Sequence, residues 1–103
     1  MATTITLEAS ATLRTSEEIR ARLLESFAEQ DAVQLDASAV AEIDLSFLQL
    51  VEAARTHAAR AGKTIRLTAP ANPALRAQLE RAGLLAEGAS EARNFWCHGD
   101  PNQ

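Results

Sequence analysis

The chain has 103 residues, enough for one domain, and carries a net charge of −4 from 10 basic and 14 acidic residues. Because the basic residues are spread along the chain and interleaved with Glu, the concentrated basic face of a nucleic-acid binder is missing, and binding to an anionic membrane surface is disfavoured. Cys97 is the single cysteine, so no intramolecular disulfide can form and an intracellular compartment is permitted. Residues Met1–Leu7 lack a signal-peptide pattern, and no segment approaches the ~20 apolar residues that span a bilayer. We therefore expect a cytoplasmic protein with no nucleic-acid partner and no membrane insertion.

The first part of the chain predicts two extended segments and a helix. Ile5 and Leu7 alternate with polar residues, which is typical of a strand with one buried face. A second, short extended piece is predicted over Ala11–Arg14. The helix is predicted over Thr15–Ala28, because Thr15 and the glutamate three residues later have the spacing of a capping box. Its apolar stripe is formed by Ile19, Leu23 and Phe27, and Leu24 widens this stripe.

The middle of the chain predicts a strand and then a longer helix. Alternating apolar and polar residues indicate a strand over Val33–Asp36. The helix is predicted over Ser46–Ala61, with Gly62 as its C-terminal stop. The residues at helical spacing, which we expect in the core, are Phe47, Leu50, Val51, Ala54, Ala58 and Ala61. Leu48 lies off this stripe, so we expect its side chain to be exposed.

The last part of the chain predicts one more strand and one more helix. The strand is predicted over Ile65–Thr68, and the helix over Asn72–Ala82, where an Asn–Pro pair combines an N-cap with a first-turn proline. In residues 88–103 we expect a final strand at Phe95 and Trp96 and then a flexible tail. Strands alternate with helices, so the whole chain is predicted to form a single α/β domain, with a mixed β-sheet of about four strands and helices packed on it.

Candidate catalytic and metal-binding groups are few and scattered. His57 is predicted on the outward side of a helix, and the adjacent Cys97 and His98 have no second Cys or His near them to complete a zinc site. The glycines are too far apart to cradle a phosphate. Asp36 and Asp44 stand near the ends of a predicted strand and turn, but two carboxylates without a base or a metal partner do not make an enzyme. We expect no enzymatic activity, no metal and no cofactor.

Ser46 stands at the predicted start of the second long helix. Ser46 and Gln49 fit a capping box, so the serine hydroxyl is expected to accept a free backbone N–H. The start of a helix also favours an anion, because it presents N–H groups and the positive end of the helix dipole. The same serine is therefore a predicted helix cap and a candidate phosphoacceptor.

A central segment of the chain resembles the signature of STAS domains: it reads LDASAVAEIDLS. In that family a strand ends in an aspartate, and a second aspartate precedes a Ser or Thr at a helix start. Asp36, Asp44 and Ser46 match these positions. The segment departs from phosphorylated members at Leu45, where they usually carry Ser or Thr, and at Phe47, where they usually carry glycine.

The resemblance, which spans roughly residues 32–85, implies a regulatory domain that binds a partner protein. In the anti-sigma factor antagonists of the family, a serine at the position of Ser46 is phosphorylated, and the partner is a kinase-type anti-sigma factor. A phosphate would add about −1.5 to −2 charges next to Asp44 and repel an acidic or apolar partner surface. The expected partner-binding residues are Asp36, Asp44, Ser46, Phe47 and Leu48.

Two other functions stay open. One is a constitutive accessory subunit, similar to the STAS component of bacterial lipid-transport ABC systems or to STAS proteins that accompany chemotaxis clusters. That function needs no phosphorylation and tolerates Phe47 well. The other is a small enzyme or ligand binder, for which the sequence offers no constellation of groups.

Overall fold

The computed structural model describes residues 2–85 and 90–97. These residues form strands and helices that alternate along the chain, as predicted for an α/β domain. In chain order the elements are β1 (Ala2–Thr6), β2 (Ser10–Ala11), α1 (Leu13–Glu29), β3 (Ala32–Asp36), β4 (Glu42–Ile43), α2 (Leu45–Ala61), β5 (Thr64–Leu67), α3 (Pro73–Arg81) and α4 (Ser90–Cys97). Within the described ranges no helix is both long and apolar enough to cross a lipid bilayer.

The main sheet has three strands in the order β1-β3-β5, and β2 and β4 form a separate two-stranded ladder. Ile5 lies opposite Leu35, and Val33 lies opposite Ile65. Every pairing in residues 2–85 and 90–97 is parallel, where a mixed sheet was expected. The reason is the connectivity: the chain crosses from β1 to β3 through α1 and from β3 to β5 through α2, and such crossovers produce parallel neighbours.

The core lies between one face of the main sheet and the helices. The buried residues on that inner face are Ile5, Val33, Leu35, Ile65 and Leu67. Thr4, Gln34 and Arg66 alternate with them and point to the opposite face, because side chains in a strand alternate with a period of two. Of the predicted stripe of α1, Ile19, Leu23 and Phe27 are buried. Leu24, which was expected to widen the stripe, is 47% exposed because it stands at the edge of the contact with α2.

Helix α1 begins two residues before its predicted start. Its N-cap is Thr12, whose backbone N–H donates to Oγ1 of Thr15 at 3.0 Å, so Thr15 belongs to the first turn. The extended segment predicted over Ala11–Arg14 is therefore wrong in its second half. A contact distant in sequence favours the longer helix, because the backbone N–H of Leu13 donates to the carboxylate of Asp44.

Helices α2 and α3 end and begin at the residues that the sequence signals indicated. Gly62 ends α2 with a φ of 72°, a left-handed conformation that glycine adopts without steric penalty. Asn72 is the N-cap of α3, and its Oδ1 accepts the backbone N–H of Leu75 at 2.8 Å. Its Nδ2 donates to the carbonyl of Val40 at 2.8 Å, so the same residue ties α3 to the loop after β3.

Residues 90–97 form helix α4, so the prediction of a final strand at Phe95 and Trp96 is wrong. Neighbouring residues in a strand point to opposite faces, whereas a helix places Ala92, Phe95 and Trp96 on one face. That face packs against the rest of the domain, and Trp96 is 0% exposed. The predicted tail at Gly99–Gln103 lies outside the described residues.

Candidate partner-binding site

Three of the candidate residues, Asp36, Asp44 and Ser46, lie in two similar turns. In each turn an aspartate is followed two residues later by a serine. Oδ1 of Asp36 accepts the backbone N–H of Ser38 at 3.0 Å and its hydroxyl at 2.6 Å. Oδ1 of Asp44 accepts the backbone N–H of Ser46 at 3.0 Å and its hydroxyl at 2.5 Å. The first turn follows β3, whereas the second opens α2. The two turns therefore share a local geometry but have different surroundings.

Asp44 links the starts of two helices. Its Oδ1 caps α2, while its Oδ2 accepts the backbone N–H of Leu13, the first residue of α1, at 3.0 Å. The hydroxyl of Ser46, followed by the N–H of Leu13, lowers the pKa of Asp44 below 3.8, because each bond favours the ionised carboxylate; partial burial acts in the opposite direction. Asp44 is thus an ionised carboxylate that accepts hydrogen bonds on both oxygens at the starts of α1 and α2.

Asp36 holds a separate loop. The hydroxyl of Ser38, and then its backbone N–H, lower the pKa of Asp36 below 3.8. Asn72 secures the same loop from the side of α3, since its Nδ2 also donates to the carbonyls of Ala37 and Ser38. Among the hydrogen bonds of residues 2–85 and 90–97, none joins Asp36 to Asp44. The structure therefore brings Asp44 and Ser46 together and places Asp36 at the end of β3, without a hydrogen bond to either of them.

Ser46 lies in the first turn of α2, and the prediction that it caps the helix is wrong. The cap is Asp44, whose extended backbone (φ −136°, ψ 179°) places the carboxylate over the free N–H groups of the helix start. Ser46 is half-buried and donates its hydroxyl to that carboxylate. The capping box predicted for Ser46 and Gln49 is thus replaced by an aspartate cap.

Phe47 and Leu48, both expected at the partner surface, are buried. Leu48 is 1% exposed, so the prediction of an exposed side chain is wrong. Around the helix, Leu48 lies between Phe47 and Glu52, and both of these contact Trp96: the Phe47 and Trp96 ring centroids are 6.4 Å apart, and Nε1 of Trp96 donates to Oε2 of Glu52 at 2.9 Å. Helix α4 covers the side of α2 that the sequence pattern left open, so neither side chain offers contact area to a partner.

Two exposed leucines beside Asp44 were not among the residues that the sequence predicted to bind a partner. Leu13 is 71% exposed and Leu45 is 51% exposed, and both flank Asp44. A sequence signal existed, because each is an apolar residue that directly follows a cap, Thr12 or Asp44, and stands outside the buried stripe of its helix. We call Leu13, Asp44, Leu45 and Ser46 the helix-start surface.

A groove lies between α1 and α2, farther along both helices than the helix-start surface. The helices lie side by side in the same direction: Asp44 joins their starts, and the rings of Phe27 and His57, near their ends, have centroids 5.5 Å apart. His57 is exposed, as predicted. The residues that line this α1–α2 groove are Arg20, Leu23, Leu24, Phe27, Leu50, Ala53, Ala54 and His57.

Metal-ligating side chains do not gather in the part of the chain that the structure describes: it holds no group of three or more His, Cys, Asp or Glu residues suited to a metal ion. The thiol of Cys97 is buried and lies 3.6 Å from Nη1 of Arg76. His98, its neighbour in the sequence, lies outside the described residues.

Comparison with known proteins identifies one family. The family model described as "Mlab, STAS domain" matches residues 1–86. No curated protein matches the chain, and no solved structure matches it. The matched residues include the helix-start surface and the α1–α2 groove and stop before α4.

Proposed function

The chain belongs to the STAS domain family, and from this membership we propose that it is a regulatory domain that binds a partner protein through the helix-start surface. The observation that carries the proposal is the exposure of Leu13 and Leu45 on either side of Asp44. Each is the first residue of its helix, and the aspartate between them holds both helix starts in place.

The helix-start surface has the physical properties of a small docking site. Fully burying an exposed leucine side chain contributes about 1.5–3 kcal/mol, so Leu13 and Leu45 would supply much of the affinity of a transient complex. Because Asp44 is hydrogen-bonded to both helices, these leucines are presented on fixed backbones, and little conformational entropy is lost when a partner binds.

We propose that phosphorylation of Ser46 switches this contact. Ser46 is half-buried, so part of it is reachable by a kinase, and its hydroxyl is bonded to Asp44. A phosphate there would replace that bond with repulsion between about −1.5 to −2 added charges and the Asp44 carboxylate. A kinase-type anti-sigma factor in the cytoplasm is the partner that fits this switch, and the protein itself has no catalytic role in it.

The alternative is a constitutive accessory subunit of a lipid-transport ABC system or of a chemotaxis-associated complex. One observation favours it: the Ser46 hydroxyl is held by the Asp44 carboxylate and the exposed Leu45 precedes it, which restricts the approach of a kinase. In that function Leu13 and Leu45 would form a permanent contact, and Ser46 would only support the Asp44 cap.

The experiment compares partner capture from the native host by the wild-type chain and by Ser46→Asp. We expect Ser46→Asp to stay folded, because an acid suits a helix start, and to bind the captured partner at least about tenfold more weakly. Ser38→Asp is the matched control, since Ser38 has the same hydrogen bonds to its aspartate but lies on another loop. Ser46→Ala keeps the Asp44 cap and should bind as the wild type does.

Phosphopeptide mass spectrometry on the native protein separates the two functions. Phosphate on Ser46 together with weaker binding by Ser46→Asp supports the switch. A partner retained equally by Ser46→Asp, with Ser46 unmodified, supports the accessory subunit. Full binding by a Leu13→Ala, Leu45→Ala double variant would contradict both, because the interface would then lie elsewhere.

A further inference from the structure

The α1–α2 groove has an apolar floor and a small rim. Leu50 and Ala54 lie half-buried on α2, and Leu24 stands on α1 with 47% of its surface exposed. Ala53, on the α2 rim, is exposed and has no side chain beyond Cβ, so another backbone can approach closely at this point. An exposed leucine beside a small-residue rim is a shape that a side chain of another molecule can fill.

The groove extends along about two turns of each helix. Ser46, Leu50, Ala53 and His57 follow one another at i, i+4, i+7 and i+11, so they form one line along α2 that begins at the helix-start surface. The residues that line the groove run from Leu50 to His57 on α2, and seven residues at the helical rise per residue span about 10 Å, which is about two helical turns. An occupant of three or more turns would therefore fill the groove and extend along the same line toward Ser46.

Unpaired cations stand along the rims of the groove. Arg20 is exposed on the α1 rim, and Arg60 continues the exposed line of Ala53 and His57 on the α2 rim. Neither arginine has an ion pair within residues 2–85 and 90–97, where the paired basic residues are Arg55, Lys63 and Arg76. The acid on this side of α1 is Glu17, which lies toward the helix-start end. Arg20 and Arg60 therefore favour negatively charged side chains on a molecule that occupies the groove.

We propose that the α1–α2 groove docks an amphipathic helix of the partner, with leucine-type residues on its inner face and acidic residues beside them. This inference rests on the proposed partner-binding function and extends it to the partner's chemistry. A helix satisfies its own backbone hydrogen bonds, which an extended peptide between two helices cannot do because no strand edge is present to pair with it. Its acids meet Arg20 and Arg60, and its apolar residues cover Leu24 and Leu50.

The test uses a displayed peptide library and the full-length chain. Each helix of about 15 residues carries leucine at i, i+3, i+4 and i+7, and its flanking positions are randomised among Glu, Lys and Gln. We expect selection on the wild-type chain to enrich Glu over Lys at the flanks. The selected peptides should bind an Arg20→Glu, Arg60→Glu double variant at least about tenfold more weakly, because like charges then face each other. They should bind an Ala53→Arg variant at least about tenfold more weakly as well, because the arginine side chain fills the groove.

Arg66→Glu is the matched control, because Arg66 is an exposed cation on the opposite face of the sheet. The Arg66→Glu variant should bind the selected peptides with the affinity of the wild type. Circular dichroism of each variant establishes that it is folded. Absence of enrichment, Lys-rich winners, or unchanged binding by Ala53→Arg would overturn the proposal. Self-association of the wild-type chain that Ala53→Arg removes would assign the groove to a second copy and also overturn it. Loss of the native partner by Ser46→Asp while no peptide binds the groove would reject this inference alone and leave the proposed function standing.

Discussion

Asp44 uses its two carboxylate oxygens on different helices. Oδ1 accepts from Ser46 at the start of α2, and Oδ2 accepts from Leu13 at the start of α1. These donors are bonded to the ionised form of the carboxyl group, so its pKa in the folded chain is lower than in the unfolded chain. One side chain therefore aligns the two helices that form the helix-start surface, and its contribution depends on pH.

Replacing Asp44 with alanine should lower the free energy of unfolding at neutral pH by about 0.5–2 kcal/mol, the usual cost of losing an N-cap, with a further loss from the bond to Leu13.

A carboxyl group whose folded pKa is depressed stabilises the fold above its unfolded pKa, and this stabilisation is lost as the pH falls through the folded pKa. The unfolded value is 3.8, so the wild type should lose stability below about pH 4, and Asp44→Ala should lose less over that range. Urea denaturation at several pH values measures both effects.

Asp36→Ala is the control for Asp44→Ala, because Asp36 makes the same bonds to a serine two residues later but caps no helix. At neutral pH it should be less destabilised than Asp44→Ala. Equal stability of the two variants, or an Asp44→Ala variant as stable as the wild type, would show that the bond between the two helix starts is not formed in solution.

Helix α4 is attached to α2 by a cluster of four side chains. Nη1 of Arg55 donates to both carboxylate oxygens of Glu52 at 3.0 and 2.8 Å, and the Arg55 guanidinium lies 4.6 Å from the centroid of the Phe95 ring. Trp96 donates to the same glutamate and packs edge-on against Phe95 with centroids 4.9 Å apart. Because Trp96 also contacts Phe47, α4 covers one side of the first turn of α2, whereas Leu45 on that turn stays exposed.

Trp96→Phe should reduce the free energy of unfolding by about 1–3 kcal/mol, because Glu52 loses its indole donor and the smaller ring leaves space in the core. Glu52→Gln is the control: it keeps an oxygen that can accept from the indole, so it should be less destabilised. Urea denaturation followed by circular dichroism measures both. A Trp96→Phe variant as stable as the wild type would contradict the hydrogen bond to Glu52.

The hydrophobic core of the whole molecule extends beyond the residues that the family model matches. The match ends at residue 86, yet Trp96 and Cys97 are among the buried side chains. They belong to the same core cluster as Phe47 and Leu48 of α2. The fourth helix is therefore an integral part of this domain, and it decides which side of α2 remains available to a partner.

A chain ended after residue 86 should be less stable than the Trp96→Phe variant, because it loses the whole of α4 and uncovers Phe47 and Leu48. Its urea-unfolding midpoint should fall, and it should bind a hydrophobic fluorescent dye that the full chain does not bind. A shortened chain with the midpoint and dye response of the full chain would show that α4 contributes nothing to the core.

Signals within a few residues determined most of the fold. Apolar spacing predicted the buried residues of α1 and, except for Leu48, those of α2, although Leu24 and Ala61 on the same predicted stripes are exposed. Gly62 predicted the end of α2, and Asn72 with Pro73 predicted the start of α3. These predictions succeeded because helical periodicity, steric freedom and capping bonds act within one or two turns of chain. The same local pattern identified the STAS signature and placed Asp44 and Ser46 together.

The remaining features depend on contacts between distant parts of the chain, so only the tertiary structure determined them. Leu48 is buried in a core cluster to which Trp96 of α4 also belongs, and one face of α4 packs on α2 and α3. Asp44 replaces Ser46 as the cap of α2 and also bonds to Leu13, a partner 31 positions away. No local spacing encodes such contacts, because they form only when separate elements pack against one another. The exposed pair Leu13 and Leu45, and the groove between α1 and α2, result from that packing.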